Sequence, residues 1–106
     1  MKSKRSKACD IKRSVKERVW ERDGHKCIFC GSSSAMSNAH YIPRSKGGLG
    51  IEQNIVTACK DCHHKMDQTK YRKEMLKKAE EHLQASYPGW DETKLQYDKW
   101  GWMHHE

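Results

Sequence analysis

The sequence is short of apolar material. Only 35% of its 106 residues are hydrophobic, a single one is phenylalanine, and 33% are charged. No run approaches the roughly 20 apolar residues of a membrane-spanning helix, and none resembles the apolar core of a signal peptide. A membrane role is thereby excluded and a cytoplasmic location expected. A large hydrophobic core is excluded as well, so a domain this polar is expected to need a covalent or metal staple. The five cysteines cannot all pair. In a reducing compartment closely spaced cysteines hold metal more often than they form disulfides. Cys9 has no cysteine neighbour and receives no role.

Acidic residues are also in the minority: 14 Asp and Glu face 21 Lys and Arg, for a net charge of +7 and a pI of about 9.2. Such an excess suits regularly spaced phosphates, and nucleic acid is the usual partner, although solubility is a plainer reading of the same charge. Its placement favours the first. Residues 1–14 contain six Lys or Arg against one Asp, the composition of a flexible basic arm able to lie along phosphates.

Within IKRSVKERVWERDG, Ile11, Val15 and Val19 recur at helical spacing up to Gly24. Residues 25–42 read as two short strands or a hairpin. Pro43 and three glycines make 43–54 an irregular loop. Helix is expected from Cys59, and a second helix over 71–86 carries Met75, Leu76, Ala79 and Leu83 as its apolar stripe, ended by Pro88 and Gly89. The tail beyond holds three of the four tryptophans, expected to pack back onto the domain rather than to stack on bases. The expected organisation is one domain: an arm over 1–14, a core over 15–70, and a C-terminal helix with a Trp-rich tail over 71–106.

Cys27 and Cys30 form one C-x2-C pair and Cys59 and Cys62 another. Two intervening residues let both thiolates of a tight turn face one cation, and two such knuckles complete a tetrahedral site of four sulfurs. Gly31 follows the first pair, where a knuckle commonly needs a residue tolerant of positive φ. A site closed by four cysteines has no open position for substrate or water, so this zinc is expected to be structural. It closes residues 31–58 into a loop on a rigid base.

The loop and its closing helix contain AHYIPRSKGG (39–48), IEQNIVTAC (51–59) and CHHKMD (62–67). A cysteine pair, a His followed by an apolar residue and Pro, a Gly-rich loop, an Asn, and a second cysteine pair followed at once by His together resemble the HNH endonucleases. The likeness covers about residues 15–70. It implies a small α+β fold of the ββα-metal type, stapled by a four-cysteine structural zinc, with flanking N- and C-terminal helices. It also implies a metal-dependent DNA endonuclease, with His40 as general base, Asn54 holding the loop that orients it, and His63 on the catalytic metal. An imidazole with a pKa near 6.5 suits deprotonation of a water near neutral pH. Compact free-standing members are similar to bacteriophage and prophage proteins, some of which assist genome packaging. Packaging proteins are therefore candidate partners, inside a bacterial host.

The chain departs from the family at Ala39, where Asp or His commonly ligates the metal. Asp67, four residues after His63 on the expected helix, shares its face and is the proposed replacement; its oxygen suits Mg²⁺ or Mn²⁺. His64 takes the place of His63 if the helix begins one residue later. Arg44, Lys46, Lys60 and Lys65, with Lys70, are expected to contact DNA phosphates. His25, His82, His104 and His105 read as ordinary surface residues. The competing reading is a catalytically inactive zinc-stapled DNA-binding module, and Ala39 is its main support. A RING-type interaction domain fits less well, because such domains usually use eight ligands for two zincs. Strand specificity, site preference and oligomeric state stay open.

Overall fold

The computed structural model describes residues 3–97. Helix α1 spans Lys4–Cys9 and α2 spans Arg13–Arg22; strand β1 (Ala35–His40) is followed by β2 (Ile55–Cys59), α3 (Lys60–Met66) and α4 (Thr69–Ser86). Three short 3-10 turns lie at 44–46, 52–54 and 92–94. The order β1, β2, α3 is the ββα unit, with helices flanking it on both sides. None of the described helices is long and apolar enough to cross a membrane.

Helix α2 forms where the apolar spacing placed it. Val15 and Val19 are buried on one face against Ile55 of β2, with Ile11 packed beside them. The helix stops at Asp23 and Gly24 (φ +71). Asp23 then becomes a buried polar junction. It accepts hydrogen bonds from Arg22 Nε (2.7 Å), from His82 Nε2 of α4 (2.7 Å) and from the Thr57 amide of β2 (2.9 Å). Burial alone would raise its carboxyl pKa, but His82 and Arg22 reverse that and hold it at about 2. His82 therefore ties α4 to α2 and is not the ordinary surface residue expected. His25 is exposed, stacks on Trp20 and pairs with Glu21; His104 and His105 lie outside the described residues.

Neither the two short strands nor the hairpin expected within 25–42 forms; the segment holds one strand, Ala35–His40. Strand β1 pairs antiparallel with β2 across the intervening loop, while residues 27–30 make a knuckle whose Ile28 amide donates to the Thr57 carbonyl at 3.0 Å. The register runs Ala35↔Cys59 and Met36↔Ala58, then Ala39↔Val56 and His40↔Ile55, so β1 carries one extra residue between Met36 and Ala39. Directly paired residues share a face of the sheet, and a bulge shifts which face follows. Ala39 therefore joins Val56 in the main core, and His40 joins Ile55 on the α2 side.

The main core lies between the sheet and α3 and α4, where Met75, Ala79 and Leu83 are buried as the 71–86 periodicity predicted; Leu76 is half-buried. Trp90 packs against this core, donates from Nε1 to the Gln53 carbonyl at 2.8 Å and meets Tyr41 edge-on. Trp100 and Trp102 lie outside the described residues. The chain then lies along the glycine-rich loop, with Leu49 N donating to Leu95 O (2.8 Å) and Tyr97 N to Gly47 O (2.7 Å).

Residues 4–9, expected as part of a flexible arm, form α1 and pack onto the domain. Ser3 caps the helix by accepting from Ser6 N. Cys9 is only 2% exposed, and the Gly50 amide donates to the Ala8 carbonyl at 3.0 Å. Counting like charges signalled an arm because half-buried Ala8 and buried Cys9 carry little pattern of their own.

Candidate metal centre and catalytic cleft

The four cysteines converge. Their Sγ atoms all lie within 4.8 Å of one another. Zn–S bonds of about 2.3 Å place tetrahedral sulfurs roughly 3.8 Å apart, so the cluster fits one zinc. The Gly31 amide donates to Cys27 O (2.9 Å) and the Cys27 amide to Ser32 O (2.8 Å). Gly31 has φ +78, the left-handed backbone anticipated for the knuckle. Backbone amides also point at the sulfurs: Phe29 N at Cys27 Sγ and Cys62 N at Cys59 Sγ, each at 3.4 Å. Burial would raise the Cys27 thiol pKa, yet donors from Cys59, Cys30 and Phe29 bring it down to about 7, while burial and its cysteine neighbours push the Cys62 thiol up. Cys59 is at once the end of β2 and the N-cap of α3.

Beyond Cys62, α3 turns its other face to a cleft of about 600 Å³ lined by His40, Arg44, His63 and Asp67, together with Asp10, Lys16 and Asn38. Asp67 closes α3 with near-helical dihedrals (φ −88, ψ −9), so it stands one turn beyond His63 on the same side. His63 and Asp67 also border an adjoining cleft of about 710 Å³ that includes Lys60, His64, Lys65 and Tyr71. The structure thus gathers His40, His63, Asp67 and Arg44, places Lys60 and Lys65 next door, and puts His64 only in the second cleft. Lys70 lies over the Tyr71 ring at 5.5 Å. Lys46 is not brought in; it lines a separate depression with Arg72 and Gln96.

Asn54 is fully buried at the base of the loop. Its Oδ1 accepts from Ile42 N (2.8 Å), while Nδ2 donates to Ile42 O (3.2 Å) and Leu49 O (2.8 Å). Its carbonyl accepts from Tyr41 N at 2.7 Å. The residue therefore pins the chain that leaves His40 without touching the ring.

The His40 ring itself meets backbone. Nε2 lies 2.9 Å from the carbonyl oxygen of Cys9, which also accepts from Arg44 Nη1 at 2.8 Å. Arg44 Nη2 in turn pairs with Asp10 Oδ1 at 2.9 Å. Burial holds the imidazole pKa below its ordinary 6.5; Arg44 and His63 lower it further, against the raising effects of the Cys9 carbonyl and Asp10. That direction favours the neutral ring, the form able to take a proton.

Ala39 is 0% exposed. Its side chain belongs to the core face of β1, so any metal in this cleft must draw its ligands elsewhere. Among the described residues, the four cysteines are the only group of three or more His, Cys, Asp or Glu side chains whose ligand atoms already close on one another. His63 and Asp67 offer two donors, an imidazole nitrogen and a carboxylate, and thus leave room for water and phosphate oxygens on a hard cation. Asp10, Lys16 and Asn38 escaped the sequence reading. Only Asn38 carried a usable signal, since it stands two residues before His40 on the same strand and so shares its face.

Residues 27–80, just over half of the chain, match the HNH endonuclease family. The chain is also similar to anaredoxin of Nostoc sp. (strain PCC 7120 / SAG 25.82 / UTEX 2576): 35% of 66 residues are identical, covering 61% of this chain and 80% of that protein. No solved structure matches.

Proposed function

The chain belongs to the HNH endonuclease family, and from that premise we propose that it hydrolyses DNA phosphodiester bonds at the cleft between β1 and α3. One observation carries the reading: His40 from the strand and His63 and Asp67 from the helix line the same cleft, beside Arg44 and Lys16. His40 is the general base, neutral because it is half-buried among cations, and it accepts a proton from the attacking water. His63 and Asp67 hold the catalytic cation. The chemistry supplied by a divalent ion there, Mg²⁺, Mn²⁺ or another, is neutralisation of charge on the phosphate and the departing oxygen. Asn54 keeps the loop after His40 in place. Arg44 and Lys16, with Lys60 and Lys65 in the adjoining cleft, meet phosphates on either side of the cut bond, while Lys46 is set apart from them. No base-reading helix is present among these parts, so specificity from this domain alone is low.

The test is plasmid nicking by the purified protein with Mg²⁺, Mn²⁺ or Ni²⁺, beside His40→Ala. Cutting by the wild type and a loss of about 10²- to 10⁴-fold in the variant are expected. No nicking with any metal overturns the enzyme reading. The second reading, a zinc-stapled DNA-binding module without catalysis, draws on the burial of Ala39 and on a relative that does not bear a nuclease's name. It predicts salt-dependent DNA binding with no cutting under any metal.

A further inference from the structure

The segment before α2 lies outside the residues matched to the family, yet it supplies the partner of His40. A carbonyl oxygen only accepts, so the 2.9 Å contact between His40 Nε2 and Cys9 O requires the hydrogen on Nε2 and leaves Nδ1 as the basic nitrogen of the neutral ring. The same carbonyl accepts from Arg44 Nη1, and the next residue, Asp10, takes Arg44 Nη2. Two further clamps hold the segment to the loop beyond His40: Arg5 Nη2 donates to Ser45 O at 2.9 Å, and Gly50 N donates to Ala8 O at 3.0 Å. At Gly50 the two segments are so close that a Cβ would lie 2.0 Å from Asp10 O and 2.9 Å from Cys9 O. Gly50 is not in the left-handed region, so the collision itself is what excludes a side chain there.

We infer that residues 3–10 are a positioning element of the cleft, holding His40 as its Nε2–H tautomer through the Cys9 carbonyl, with Gly50 and Arg5 seating the segment. A cysteine side chain has no part in this; the carbonyl acts, and the helix delivers it. The inference rests on the nuclease reading for its consequence in rate, but the tautomer itself does not. Facing the ring from the packed elements are Asp10, Lys16, Arg44, His63 and Asp67.

The test uses the full chain carrying Gly50→Ala, which touches no cleft side chain. Imidazole ¹⁵N shifts of His40, recorded without DNA or added divalent metal, are expected to show a pure Nε2–H ring in the wild type and an average over both tautomers in the variant. One zinc per chain should be retained. In nicking, kcat should fall about 10- to 100-fold with little change in KM for DNA. If Gly50→Ala fails to fold, Arg5→Ala, which removes an exposed clamp, is read by the same shifts and should show a partial change. A wild-type ring protonated on Nδ1, or an unchanged tautomer in the folded variants, overturns the inference. Absence of nicking by a wild type with the expected ¹⁵N pattern overturns the nuclease reading instead.

Discussion

Helix α3 carries two sets of side chains of metal-ligating type back to back, and they differ in how closely they are gathered. Cys59 and Cys62 meet Cys27 and Cys30 in a closed group of four sulfurs, pre-aimed by backbone amides. His63 and Asp67 face an open cleft, where among the described residues no group of three or more His, Cys, Asp or Glu ligand atoms closes together. The closed set uses all four positions to hold β2 and α3 to the knuckle, which is what a structural ion requires. An ion held by His63 and Asp67, as proposed, would keep coordination positions for water and phosphate, which is what a turnover site requires. Cys62 and His63 are adjacent in sequence, yet a single helical step turns one into the sulfur cluster and the other into the cleft.

Removing zinc should break the comparison most severely. Chelation, or Cys62→Ser, withdraws binding energy on the order of 10 kcal/mol from a domain whose core is small. The expected result is cooperative loss of helical circular dichroism together with all nicking. Activity that survives quantitative zinc removal would show the two sites to be independent. Next in size is Asn54→Ala, which leaves Ile42 N without its acceptor and two carbonyls short of a donor. It should cost about 3 kcal/mol in denaturant unfolding while one zinc per chain remains bound. Unchanged stability would remove Asn54 from the role of loop anchor.

Asp67→Ala should act on the open site alone, weakening the activating divalent ion at least about tenfold with no change in melting temperature. Equal cutting at all metal concentrations would discard Asp67 as a ligand. The smallest expected effect is in pH. A depressed imidazole pKa keeps His40 neutral to lower pH, so the base is present above the folded value and is lost as pH falls through it. The acid limb of the nicking rate should therefore have its midpoint below 6.5, the ordinary imidazole value. A midpoint at or above 6.5 would mean that another group limits the rate.

Much of this was legible in the residue order. Cys27, Cys30, Cys59 and Cys62 announce a zinc site because a two-residue spacing is a local geometry, closed within one turn. The α4 stripe and the joint appearance of His40, Asn54 and His63 are similarly local or familiar patterns. The meeting of His40 and His63 in one cleft was expected from resemblance, but residues 25–42 looked like two short strands or a hairpin because alternation reveals a strand without naming its partner. Ala39 appeared as a missing ligand; its burial opposite Val56 is a matter of register and a bulge. His82 looked superficial because nothing near it in sequence points to Asp23.

By itself the sequence determined the metal staple, the helical periodicities and the surplus of positive charge, since each depends on side-chain types at short spacing. Only the tertiary structure decided that β1 pairs across the loop, that the basic N-terminal segment folds onto it, and that the carbonyl of Cys9 faces His40. The physical reason is that every residue carries a carbonyl, so a backbone acceptor leaves no mark in composition or spacing. Which one meets His40 is settled by long-range packing, here by the close approach of two segments at Gly50.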